Sequence, residues 1–259
     1  MSAAVVILFC LGASLVVMTG LWAVSLAIED SSIVDIWWGA GFVVLGWTAA
    51  FLTGLHGFAQ DAALAMVTIW GLRLTIHLGR RNIGKGEDPR YTAMREKAGE
   101  AWAVRSLFVV FWLQGLIMWI VALPMLAAIA YDSDYTLWLV VLGLLVWAKG
   151  LFFETVGDWQ LEQFKADPAS KGQVMDRGLW KYTRHPNYFG DSLVWWGLGL
   201  VGVSVGAWWA LVGPALITFM LVRVSGKALL EKGMKKSRPG YDSYVARTSG
   251  FIPWFPKKG

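Results

Sequence analysis

Along the chain, long apolar runs alternate with short polar breaks. Seven apolar segments can be drawn, roughly 3–27, 33–55, 61–79, 105–130, 135–154, 188–205 and 207–224. A helix that crosses a bilayer needs ~20 residues, and each run is of spanning or near-spanning length. Helices are the predicted element because a chain in hydrocarbon must satisfy every backbone N–H and C=O within itself. The breaks near 56–60, 131–134 and 203–206 hold no Lys or Arg, whereas 80–105, 155–187 and the C-terminal tail are rich in both. Lys and Arg gather on the cytoplasmic side of membrane proteins. The pattern therefore predicts an all-α integral membrane protein with seven transmembrane helices, N-terminus outside and C-terminus cytoplasmic. The break at 28–32 should be cytoplasmic too and carries Glu29 and Asp30; acidic residues weigh little in that rule.

Composition agrees with the pattern. Of 259 residues, 56% are hydrophobic and 16% charged, with 17 Trp, against roughly 25% charged in a soluble domain. The single cysteine, Cys10, excludes a disulfide framework within the chain. The start, MSAAVVILF, lacks the basic region of a signal peptide, so the first span is expected to be retained. No linker or internal repeat is evident, and 1–259 reads as one membrane domain. The basic balance is assigned to topology and to membrane lipids, with no nucleic-acid partner expected.

Polar chemistry is concentrated in a few places. RGLWKYTRHPNYFGD, from Arg177 to Asp191, sets charged and amide groups between apolar spans, where they are costly unless partnered. In the second span, SSIVDIWWG places Asp35 among bulky apolar residues, and an intramembrane carboxylate is a functional candidate by default. On the third span Arg73, His77, Arg80 and Arg81 recur at helical spacing, a cationic face able to grip a polyanion. The GKGEDPRY loop follows, and its Glu87 and Asp88 are expected to pair with those arginines or to bond sugar hydroxyls. Glu154 and Asp158 share a face, and like charges at that spacing repel unless something lies between them. Residues 155–166 read as an interfacial amphipathic helix anchored by Trp159 and Phe164. Arg223, Lys227 and Glu231 read as a polar stripe continuing the last span, and Tyr241, Tyr244, Arg247 and FIPWFP as a folded cap.

Several chemistries are excluded. His56, His77 and His185 lie in different segments without metal-ligand spacing, so no metal is expected. No nucleophile elbow or P-loop is present. GLGLVG, Gly197 to Gly202, matches the dinucleotide fingerprint only formally; inside a membrane span, small residues serve helix packing. What remains is a rim of cations, carboxylates and neutral hydrogen-bonding groups, suited to a ligand that carries phosphates together with ribose or amide groups, over an apolar Trp-rich interior.

GLWKYTRHPNYFGD, together with ETVGDWQLEQFK, PGYDSYVARTSGFIPWFP, SIVDIWWG and LRLTIHLGRRNIGKGEDPRY, resembles the steroid 5-alpha-reductase family, in its bacterial branch, from about Ser32 to Pro256. The resemblance implies a seven-helix membrane enzyme, its reductase-like core at about 105–256, in the bacterial inner membrane with the cofactor site facing the cytoplasm. It implies NADPH as cofactor and, as substrate, an apolar steroid-like enone entering from the bilayer, reduced at the C4–C5 double bond of a 3-oxo-4-ene. Asp35 and Trp38 are then the expected catalytic residues, with Asp35 as an acid that hydrogen-bonds the substrate carbonyl. Expected cofactor contacts around the third span are Arg73, Arg80, Arg81, Asn82, Glu87, Asp88 and Tyr91. Further along they are Glu154, Asp158, Arg184, His185, Asn187, Tyr188 and Asp191, and in the tail Arg223, Glu231 and Tyr244. Animal members of the family carry a Gln-Glu pair on the second helix and a tyrosine on the third; here the second helix offers Val34-Asp35 and the third Trp70, which leaves the tyrosine's role unassigned.

A rival reading starts from the same residues. Integral-membrane S-adenosylmethionine-dependent methyltransferases of isoprenylcysteine or phospholipid also carry an RHPxYxG motif, matched here by Arg184 to Gly190, then an acidic residue and a Y..Y tail matched by Glu231, Tyr241 and Tyr244. They show a Glu-Glu pair where this chain has Leu230-Glu231, and they lack the Arg73-to-Tyr91 segment. A lipid-binding scaffold without catalysis leaves Asp35, Arg73 and Asp191 without a role.

Overall fold

A computed structural model describes residues 1–257 apart from Leu55, His56 and Ser225, and apart from the side chains of Ala228, Leu229, Lys232, Lys236 and Ser237. His56, weighed above as a ligand, lies outside the described residues. Among those residues the chain is helical, without strands; Thr183 and Ser249 form an isolated bridge. The elements are α1 (Ala3–Ala27), α2 (Ile33–Thr53), α3 (Phe58–Asn82), α4 (Pro89–Ala98), α5 (Trp102–Ser106), α6 (Leu113–Ala130) and α7 (Leu137–Ala166). They continue with α8 (Pro186–Ser204), α9 (Val212–Phe219), α10 (Lys227–Ser237) and α11 (Tyr241–Arg247).

Among the described residues, five helical stretches are long and apolar enough to cross a membrane: α1, α2, α3, the run Pro89–Ala130 and α7. In the run Pro89–Ala130, α5 passes into α6 through a π-helical turn, Leu107–Trp112. The nineteen-residue α8 is not among the five, because Asn187, Tyr188 and Asp191 lie in its first turns. The Trp208–Val224 segment is apolar and shorter. The expected interfacial helix at 155–166 is the end of α7, which continues unbroken from Leu137. The expected stripe from Arg223 to Glu231 is broken instead. Met220–Val224 is a π-helical turn and α10 starts afresh after Gly226, where a Cβ would collide with the Leu221 carbonyl.

The chain forms two compact units, Met1–Val140 with Gly199–Gly213, and Val141–Leu198 with Pro214–Gly259. In the first, α2 lies against α3 so closely that a Cβ at Gly71 would sit 2.6 Å from the Gly39 carbonyl oxygen. Phe42, Leu45, Met66, Trp70, Met118 and Leu126 fill the core between α2, α3 and α6. Helix α1 is tied to its neighbours by polar side chains. Ser14 Oγ donates to the Gly115 carbonyl (3.0 Å), Trp119 Nε1 to that of Ile7 (2.8 Å) and Trp112 Nε1 to Thr19 Oγ1 (3.0 Å). Such bonds matter because a lipid-facing bundle has little hydrophobic drive of its own.

In the second unit, glycines bring α7 and α8 together. A Cβ at Gly150 would sit 2.7 Å from the Gly190 carbonyl oxygen, and one at Gly197 would sit 2.7 Å from that of Gly143. The apparent dinucleotide fingerprint thus contributes a helix-crossing residue. Ser192 and Thr218 share a 2.7 Å bond, and Trp196 Nε1 donates to Thr218 Oγ1 at 3.1 Å.

Candidate functional site

Two polar clusters are built, one in each unit. The first forms where α4 begins. Asp88 caps that helix, its carboxylate accepting from the Arg90 backbone N–H at 2.9 Å, and Pro89 fits the first helical turn because it has no N–H to satisfy. This start places Arg90 and Tyr91 beside α2. Asp35 Oδ1 accepts from Tyr91 Oη at 2.7 Å and Asp35 Oδ2 from Arg90 Nη2 at 2.7 Å. Gln114 Nε2, from α6, donates to Tyr91 Oη at 3.2 Å. Tyr91 is buried, 6% exposed, whereas Arg90 reaches outward to Asp88 Oδ1 at 2.9 Å. Both Asp35 oxygens therefore act as acceptors. That differs from the donor role expected for Asp35, and it places a tyrosine, which the third helix does not supply, on α4.

Glu87 is bonded to α4 and to the break before α2. It pairs with Arg95 Nη2 at 2.7 Å and accepts from the Ser31 backbone N–H at 2.8 Å, holding the break before α2 to α4. Burial alone would raise its carboxyl; the bonds from Arg95 and Ser31 outweigh it and keep Glu87 below the usual carboxylate range. The Arg90 side-chain bond likewise lowers Asp88 against its partial burial. Glu87 and Asp88 are expected to pair with the α3 arginines or to bond sugar hydroxyls. Their direct ion pairs are with Arg95 and Arg90 on α4, the helix they introduce, while the charge of Arg81 also lowers Asp88. Arg80 and Arg81 are exposed at the end of α3, where Arg81 Nε donates to Asn82 Oδ1 at 3.0 Å, and Arg73 lies half-buried two turns earlier. Trp38 stands edge-on to Phe42 and Phe42 to Trp70, an aromatic chain with centroids 5.3 and 5.6 Å apart.

The second cluster gathers the RHPNY residues. Thr183 Oγ1 accepts from the His185 N–H (3.3 Å), and Pro186 opens α8. Arg184 is buried and has its donors committed. Nε and Nη2 bond the two oxygens of Glu231 at 2.9 and 3.3 Å, and Nη1 bonds the carbonyls of Thr248 (2.6 Å) and Val245 (3.2 Å). His185 Nε2 lies 3.1 Å from Glu231 Oε1, and its ring stacks on Tyr188 with centroids 5.4 Å apart. Burial would raise Glu231, yet His185 and Arg184 hold it at about 2; burial lowers His185 despite the carboxylate beside it.

Of the expected cofactor residues, Arg184, Glu231 and Tyr244 serve the architecture. Tyr244 Oη donates to the Trp180 carbonyl at 2.5 Å, and Arg184 joins the start of α8 to α10 and the tail. Asn187 Nδ2 donates to Asp158 Oδ1 at 3.0 Å, and both Asp158 and Glu154 are buried on α7. Asp191 lies one turn past Asn187, half-buried, and Arg223 is exposed on its π-helical turn. Among the described residues no group of three or more His, Cys, Asp and Glu side chains is placed to hold a metal. Sequence reasoning missed Arg90, Gln114 and Arg95. Gln114 had a signal, as a lone amide inside the apolar run FWLQGLIM.

Among the described residues, five bilayer-length apolar helices and two charge networks, each braced by buried partners, define an integral membrane protein of all-helical build. The chain belongs to the family described as a protein of unknown function, DUF1295, matched over residues 21–248, which falls in the steroid 5-alpha-reductase-like superfamily. It is similar to the steroid 5-alpha-reductase DET2 of Arabidopsis thaliana, 31% identical over 107 residues, covering 39% of this chain and 38% of that protein. It is also similar to the probable O-methyltransferase ustE of Ustilaginoidea virens, 28% identical over 111 residues, covering 43% of this chain and 34% of that protein. The matched stretches thus span little more than a third of either relative. No solved structure matches.

Proposed function

We propose that the protein is a membrane-embedded, NADPH-dependent reductase of an apolar enone, with 3-oxo-4-ene steroids as the substrate class. The observation that carries the reading is the Asp35–Tyr91–Gln114 group: a carboxylate, a phenol and an amide joined by hydrogen bonds between otherwise apolar helices. Similarity to a plant steroid reductase supports it. The same reading takes α8 and the Trp208–Val224 segment as sixth and seventh spans, with the N-terminus outside and the cofactor side facing the cytoplasm of a bacterial inner membrane.

The residues on hand fit the cofactor in kind. Within the second unit, the Asn187–Asp158 pair and the Tyr188 ring suit ribose and carboxamide groups, and the exposed Arg223 suits a phosphate. When bound, NADPH would supply the hydride for the beta carbon of the enone. The chain's own part is to manage the charge that develops on the carbonyl oxygen. Tyr91 turns its O–H from Asp35 to that oxygen, Gln114 keeps the phenol oriented, and Arg90 holds the carboxylate that Tyr91 has left. A proton taken up from solvent at the alpha carbon converts the enolate to the saturated ketone, the Tyr91 O–H being retained.

A second reading is a methyltransferase, favoured by the similarity to ustE and by the RHPNYFG run with Glu231 drawn onto it. Calorimetry on detergent-purified protein with NADPH and with S-adenosylmethionine separates the two. The reductase expects NADPH binding that weakens in Asn187→Ala and Arg73→Ala, no heat from S-adenosylmethionine, and NADPH oxidation on adding an enone steroid. Binding of S-adenosylmethionine alone overturns it.

A further inference from the structure

The chain from Ser249 to Lys257 runs as an irregular strap along residues 180–184. Its backbone is fastened at several points. Arg184 N donates to the Ser249 carbonyl (2.9 Å), Thr183 Oγ1 to that of Phe251 (2.7 Å), Trp254 N to that of Tyr182 (2.9 Å), and Lys257 N to that of Arg247 (2.9 Å). Pro253 and Pro256 fix two more backbone angles. A strap held this way has its side-chain directions set, and three of its large apolar groups are exposed. Ile252 is 65% exposed, Trp254 71% and Phe255 77%, and Tyr182 meets the Phe255 ring at 6.1 Å. The cap expected at the helix ends is present: Tyr241 and Tyr244 are buried and Phe251 meets the Phe189 ring at 6.0 Å, while Ile252, Trp254 and Phe255 are left exposed.

Apolar side chains displayed together on a braced backbone mark a contact surface. We propose that this strap is a bilayer-interface anchor, seating Ile252, Trp254 and Phe255 among the headgroups of an anionic membrane, with Lys181 and Lys257 on the lipid phosphates. Lys181 and Lys257 flank the aromatic group and are exposed. Aromatic rings at headgroup level beside basic side chains are what a membrane boundary selects. The bilayer is the occupant in reach because the unit that carries the strap also holds most of α7, one of the described helices long and apolar enough to cross one.

Cys10 is the only cysteine and is buried, so a single reporter is easy to place. Trp254→Cys and Phe255→Cys, each in a Cys10→Ala background, are labelled with an environment-sensitive fluorophore and reconstituted in phosphatidylglycerol–phosphatidylcholine vesicles. Lys171→Cys, at an exposed position in the loop after α7, serves as the water-facing control. Labels at 254 and 255 should emit at shorter wavelength than the control, lose intensity to lipids carrying a headgroup-level nitroxide and resist iodide. Adding Lys181→Glu and Lys257→Glu should reduce the lipid quenching. Iodide quenching at 254 and 255 equal to that at 171 overturns the proposal. So does label self-quenching that rises with protein-to-lipid ratio, which would make a second copy of the chain the occupant.

Discussion

Tyr91 donates its hydroxyl to Asp35 across 56 positions of sequence, at 2.7 Å, while Gln114 holds the same phenol from a third helix. Asp35, also held by Arg90, accepts from the phenol and orients it. Tyr91→Phe removes the donor and leaves the ring in place. If the phenol polarises a substrate carbonyl, turnover of an enone should fall by ~10²–10³, with NADPH affinity unchanged. NADPH oxidation kinetics and calorimetry read the two effects separately. Turnover within twofold of the parent protein, as an order-of-magnitude threshold against that donor effect, would remove Tyr91 from the chemistry.

Arg184 joins three segments, and its loss should appear in stability rather than in a binding constant. Arg184→Ala leaves Glu231, with 15% side-chain exposure, next to His185 alone. Breaking a buried pair at one partner costs ~3–5 kcal/mol, so thermal unfolding in detergent should move sharply downward. Arg184→Lys keeps the charge but loses the fork that reaches Glu231 and two carbonyls at once, and should restore only part of the melting temperature. If Arg184 instead held a phosphate, Arg184→Lys would melt like the parent protein and bind cofactor poorly.

Both groups facing Arg184 make the fold acid-sensitive. Glu231 is held at about 2 against an ordinary 4.5, so its contribution is complete above ~4.5 and lost as pH falls toward 2. His185 is lowered from 6.5, so the unfolded chain takes up a proton more readily and stability begins to fall as pH drops below about 6.5. The two act in the same direction. Melting temperature should therefore decline from about pH 6.5 downward. Glu231→Gln should start lower and flatten the part of the profile below 4.5.

The first three spans were legible because an apolar run of bilayer length has few alternatives to a helix, and α1, α2 and α3 lie close to their expected bounds. Asp35 was legible for the same reason: a carboxylate in an apolar run requires a partner. Its partners were not. The sequence placed Glu87, Asp88 and Tyr91 near a cationic face, but the Asp88 cap and Pro89 start a new helix there and direct Arg90 and Tyr91 to α2. Arg184 and Glu231 stood out as charged residues. What escaped the sequence is that their bonds go to each other and to backbone carbonyls of the tail, a long-range closure that no local pattern encodes.

The crossing of α7 and α8 gives a prediction with its own control. A Cβ at Gly190 would sit 2.6 Å from the Gly150 carbonyl oxygen, against backbone that cannot swing aside, and would also press on Glu154. Gly190→Ala must therefore separate the helices, and overpacking of this kind costs ~1–3 kcal/mol. Gly12, on α1, has nothing within 4 Å of its would-be Cβ. There alanine meets no obstacle and gains helix propensity, worth up to ~1 kcal/mol. The two substitutions add the same methyl group and should move the melting temperature in opposite directions. A loss at Gly190 should also weaken the Asn187–Asp158 bond one turn away, since both partners lie on the helices being pushed apart. Reduced NADPH binding in Gly190→Ala, with unchanged binding in Gly12→Ala, would tie helix approach to the candidate nucleotide residues. Equal melting of both variants would show that α7 and α8 do not meet at these glycines.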